Sequence, residues 1–68
     1  MTFIKLFDNS GNRDIFVNVN TIISFQKGYN GGTSIEFNML IDHQFMPYFK
    51  QVRETPEEIL AKIQEANN

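Results

Sequence analysis

The residues of this chain able to do chemistry are few, and they fall in three places. Asp42-His43 is the one point where an imidazole adjoins a carboxylate. A metal site or a general base needs more than this pair: zinc takes three or four ligands, and a base needs a nucleophile or substrate proton within reach. The two side chains are neighbours flanked by strand-like residues, where neighbours point to opposite faces, so the reading is a solvated turn. "GYNGG", residues 28 to 32, has the glycine content of a phosphate cradle. It lacks the Lys-[Ser/Thr] that follows in such loops and does not open a helix, so Asn30-Gly31 reads as a type I′ hairpin turn. Glu54, Glu57 and Glu58 cluster in "RETPEEILAKIQ". Thr55, Pro56 and Glu58 there spell a capping box with proline in the first turn, so these acids are assigned to the positive end of a helix. No catalytic, metal-binding or cofactor-binding residue emerges, and the chain is read as a non-enzyme.

The elements that position these residues follow from apolar alternation and turn chemistry. Strands are expected at about 2–8, 14–19, 22–27, 33–41 and 44–53, and a helix at about 56–66. "TFIKLFD" sets Ile4 and Leu6 against Phe3, Lys5 and Phe7; "DIFVNV" sets Ile15, Val17 and Val19 against Phe16 and Asn18. "NSGN" between them reads as a hairpin loop with Gly11 free to take positive φ. Asn20-Thr21 breaks the alternation and implies a tight turn or bulge. "TSIEFNMLI" alternates most cleanly, with Ile35, Phe37, Met39 and Ile41 inward. Pro47 lacks the donor a ladder needs, so the fifth strand is expected to be kinked, at an edge, a bulge or a break. The helix has a short apolar stripe of Ile59, Leu60 and Ile63, extended at most by Ala66. The fold class is therefore α+β, mostly β: an antiparallel β-meander of four to five strands, curled or barrel-like, closed by one C-terminal helix in a single domain.

Bulk properties narrow the role. A chain of 68 residues buries only about 60% of its unfolded surface, which leaves little stability from one core. Without cysteine, disulfides and thiolate zinc sites are excluded as staples, and oligomerisation is the common remaining remedy. Nothing resembles a membrane span or signal peptide, so the expected location is the cytoplasm. Six Lys/Arg against eight Asp/Glu disfavour wholesale phosphate binding. The aromatic content is lopsided, with seven Phe, two Tyr and no Trp, more apolar material than one small core needs.

"FIKLFDNSGNRDIFVNVNTIISF", the glycine-rich turn, "TSIEF" and "VRETPEEILAKI" together resemble the small flagellar FlbD/SwrD-like proteins and related short bacterial and phage reading frames. The matching positions run from Ile4, Lys5, Leu6 and Gly11 through Val17, Asn18, Ile22, Phe25 and Ile35 to Val52, Glu54, Thr55, Glu57, Glu58, Ile59 and Ile63. "MLIDHQFMPYFK" departs from the family in being longer and more aromatic. The resemblance implies a non-enzymatic accessory protein linked to flagellar function and swarming, with no catalytic residues to carry over.

One helix with so few apolar residues does not cover both faces of a five-stranded sheet. Either the sheet curls into a small barrel or a second apolar face is buried against another chain. The expected function is an interaction module that forms a homo-oligomer or binds another protein, carried by Phe3, Phe7, Phe16, Tyr48 and Phe49, with contact face to face or through the first strand. The alternative is a nucleic-acid-binding regulator that stacks bases on Tyr29 beside Lys5, Lys27, Lys50 and Arg53. An enzyme survives only as a pocket at an oligomer interface.

Overall fold

A computed structural model describes residues 2–28 and 31–67. It contains β1 (Phe3–Asp8), β2 (Arg13–Asn18), a 3-10 turn (Val19–Thr21), β3 (Ile22–Lys27), β4 (Thr33–Ile41), β5 (Gln44–Val52) and α1 (Pro56–Ala66). The strands make one five-stranded antiparallel sheet in the order β2-β1-β5-β4-β3. Two units are visible in that order: a β1–β2 hairpin and a β3–β4–β5 meander. Among the described residues a single ladder pair, Asp8 opposite Val52, joins them into one sheet. The sheet is open, with β2 and β3 as its edges, so the barrel alternative is not realised.

Alternation assigns the faces as expected except at Met39 and Ile41, which are exposed. Ile4, Leu6, Val17, Ile35, Phe37, Val52 and Ile59 form the core, with Ile15, Val19, Ile22, Phe25 and Ile63 packed against it. Complete burial of a side chain of this kind contributes about 1.5–3 kcal/mol, so seven buried residues, four of them fully, make a small core for the chain. The capping box forms as read: Thr55 Oγ1 accepts the Glu58 N–H at 3.2 Å, and the Glu58 carboxylate accepts the Thr55 N–H at 3.2 Å. The helix thereby seats Ile59 in the core near β1 and β3. Its stripe is narrower than expected, because Leu60 is 49% exposed and Ala66 lies in solvent.

Three local expectations need correction. In the β1–β2 loop positive φ falls on Asn12 (53°) and not on Gly11. Gly11 is needed for a different reason: a Cβ there would come within 2.8 Å of the Asp8 carboxylate. Pro47 neither breaks nor bulges β5, whose register with β4 runs unshifted through the Asn38–Pro47 pair. It is tolerated because β5 pairs with β1 only at Val52, so the neighbouring side of the strand around Pro47 has no ladder to break. Glu54 is not part of the cap. Its carboxylate accepts the backbone N–H of Phe7 at 3.0 Å, taking the place of a β5 carbonyl where β5 has ended.

The irregularity at Asn20-Thr21 is both a tight turn and a bulge. Asn18 Oδ1 accepts the Asn20 N–H, the Thr21 hydroxyl donates to Asn18 O, and the β3–β4 register shifts between Ile22 and Ser24. The Asp42-His43 turn has φ of 51° and 65° at its two residues, the paired positive values of a type I′ hairpin. Tyr29 and Asn30 lie outside the described residues, so the type I′ reading of Asn30-Gly31 does too. Gly31 has φ 82°, and a Cβ on Gly32 would overlap the Val52 carbonyl oxygen.

Candidate functional site

The strands leave part of the sheet uncovered. Among the described residues β3 pairs with β4 only as far as Phe37, and β1 pairs with β5 only at Val52. Residues 38–47 therefore project as a two-stranded ribbon, paired with each other and, among the described residues, with no third strand. Its core-facing row continues the core outward from Ile35 and Phe37 to Met39 and Ile41, opposite Tyr48, Met46 and Gln44. The other row carries Leu40 opposite Phe45, with Phe49 opposite Glu36. Met39, Leu40, Ile41, Phe45, Met46, Tyr48 and Phe49 are all exposed.

Beside the base of this ribbon is an open cleft of about 500 Å³. Met39 and Tyr48 form one wall, Phe37 the floor, and Ile15, Phe16 and Val17 of β2 the other wall. Lys50 closes one end, and its Nζ lies 3.1 Å from the Asp8 carboxylate and 5.9 Å from the Tyr48 ring centroid. Asp8 is only 2% exposed. The hydrogen bond from Lys50 holds its carboxyl below the usual carboxylate range, against burial, with help from the backbone N–H groups of Gly11 and Ser10. The cation and anion neutralise each other, which leaves an apolar cleft without a free charge on its walls.

The expected interface residues do not all share one surface. Phe16 (71% exposed) and Tyr48 both border the cleft, whereas Phe3 stands on the outer face of β1 and Phe49 on the side of β5 opposite Tyr48. Phe7 is half-buried, with the Arg53 guanidinium carbon 4.2 Å from its ring centroid. Sequence reading missed Met39, Leu40 and Ile41 as surface residues and left Phe45 and Met46 out of the expected interface. The alternation alone put Met39 and Ile41 inward, and only the point at which β3 stops shows that nothing lies over them.

The basic residues are likewise dispersed. Lys5 lies 3.6 Å from Asp14 on the outer face, Lys50 serves Asp8 on the inner one, and Arg53 covers Phe7. Lys27 ends β3, and Tyr29 is outside the described residues. Lys27 and Gly31 do border a hollow at the helix start with Thr55, Pro56 and Glu57. That hollow is poorly suited to an anion, since proline lacks an N–H, the Thr55 hydroxyl takes the Glu58 N–H, and Glu57 adds a negative charge. Asp42 and His43 sit exposed at the ribbon tip. Among the described residues no group of three or more His, Asp or Glu side chains is placed to hold a metal ion.

Comparison with known proteins gives no match among protein-family models, curated proteins or solved structures. The functional reading therefore stands on the geometry of the chain itself. No helix among the described residues is long and apolar enough to cross a membrane.

Proposed function

We propose that this chain is a small non-enzymatic, cytoplasmic interaction module that self-associates. The observation that carries the reading is the uncovered ribbon. An isolated two-stranded hairpin is marginal in water even when its exposed residues are polar. This one presents five large apolar side chains on its two faces, Met39, Leu40, Ile41, Phe45 and Met46, with Tyr48 and Phe49 exposed at its base, and puts Asp42 and His43 at the tip. Contiguous apolar surface of this extent, on a chain without disulfides to hold it, is the mark of a protein interface. The resemblance to the flagellar family adds that the assembled module would serve as an accessory of the motility apparatus.

The test is the solution mass by light scattering behind size exclusion, over about a hundredfold range of protein concentration. A mass that is a multiple of the 7.9 kDa chain supports the reading. A monomer that stays folded across the whole range removes self-association.

A further inference from the structure

The self-association reading leaves open which apolar surface meets which, and the structure narrows that choice. We propose that a second copy of the chain packs on the core-facing side of the ribbon. The two ribbons cross about a two-fold axis, so that Met39 and Met46 of each copy meet those of the other and each cleft receives part of the opposite ribbon. This inference rests on the self-association reading and deepens it.

Four features converge on that face. The first is continuity: Ile35 and Phe37 are buried, and the next residues of the same row, Met39 and Ile41, are exposed beyond Phe37, the last residue of β4 paired with β3. The core runs into the ribbon and stops without a lid. The second is area. A compact monomer of 7.9 kDa exposes about 4,400 Å², and this chain exposes 4983 Å². The excess of roughly 600 Å² matches what each partner of a small stable dimer buries, about 600–1,000 Å². The radius of gyration agrees, at 11.8 Å against about 11 Å for a compact chain of this length.

The third feature is charge. Along the core-facing row no formal charge appears until Lys50, and Asp8 already engages it. A two-fold axis lays this patch on itself, so like charges would meet there if any were present. The chain carries its net −2 elsewhere, and the patch gives no sign by which a differently charged partner would be selected. The fourth is the blocked alternative. Strand addition along the free side of β5 meets Pro47, which has no N–H to offer, and face-to-face packing needs no ladder. Met39 and Met46 stand directly opposite each other in the β4–β5 register, and their flexible thioethers suit a surface that must fit its own copy.

The absence of cysteine permits a direct test by single-cysteine cross-linking of the full chain. Met46→Cys is expected to give a disulfide-linked dimer on mild oxidation. Phe45→Cys, one residue away on the opposite side of the ribbon and 69% exposed, is expected to stay largely uncross-linked. In parallel, Met39→Glu is expected to shift the light-scattering mass to that of the monomer, and Leu40→Glu to leave the wild-type mass. Efficient cross-linking through Phe45→Cys instead would place the interface on the other side of the ribbon and overturn the proposal. A wild-type oligomer that neither Met46→Cys traps nor Met39→Glu dissociates would also overturn it while leaving self-association intact. A wild-type chain that is monomeric throughout overturns both, and hands the ribbon to a different protein. If Met39→Glu fails to fold, the cysteine pair still decides.

Discussion

At the scale of single residues, Asp8 shows how a polar group is kept inside so small a core. It lies at the end of β1 where the two units of the sheet join, and it accepts from Lys50 Nζ at 3.1 Å and from the Ser10 N–H at 3.0 Å. These donors favour its charged form, so its pKa is lowered in the folded chain. The consequence for stability has a definite sign. The contribution of ionised Asp8 is fully present above its unfolded-state pKa, about 3.9, and disappears as pH falls through the lower folded value. Urea midpoints at fixed protein concentration should therefore fall on acidification below about pH 4, where the carboxylate takes up its proton. Asp8→Asn should lower the midpoint at neutral pH and flatten the acid limb. An unchanged acid limb in the variant would show that other carboxylates govern it. Nothing in the sequence marks Asp8, because its partner is 42 positions away and the hairpin loop around it reads as ordinary.

At the scale of elements, local chemistry is decisive wherever the chain turns or caps. Thr55, Pro56 and Glu58 produce the helix start they spell, since the capping interactions span only three residues. Thr55→Ala should cost about 1 kcal/mol, read as a lower urea midpoint and frayed helical ellipticity. Asp42-His43 forms its turn for the same local reason: two residues at positive φ match the twist of the strands they join. Glu54 and Pro47 show where local reasoning fails. Glu54 sits one residue before the cap and reads as part of it, yet it satisfies the Phe7 N–H at a place where β1 outruns β5. Pro47 implies an edge, a bulge or a break without saying which, and β5 is continuous because its other side is a local edge there. Both outcomes depend on which strand lies beside which, and by how far.

At the scale of the whole molecule, the marginal core and the uncovered ribbon lead to one expectation about stability. If burial of the ribbon in a second copy completes the core, unfolding is coupled to dissociation, and the thermal midpoint must rise with protein concentration. Scans over about a hundredfold range of concentration should show that rise in the wild type and lose it in Met39→Glu. A midpoint independent of concentration would mean that the seven-residue core is sufficient alone. The strand boundaries to within about a residue, the inward faces of β1, β2 and the first half of β4, and the capped helix are legible in the chain, and four to five strands can be counted, because alternation and capping act between residues a few positions apart. The surplus of aromatic residues is legible as well, since it is a matter of count. Its location is not. Whether Met39 and Ile41 are core or surface depends on β3 ending opposite Phe37, and the β2-β1-β5-β4-β3 order depends on β1 meeting β5 at one residue pair. Those are contacts between residues far apart in sequence, chosen by the collective packing of the core, and they turn a strand with a buried pattern into a projecting apolar ribbon.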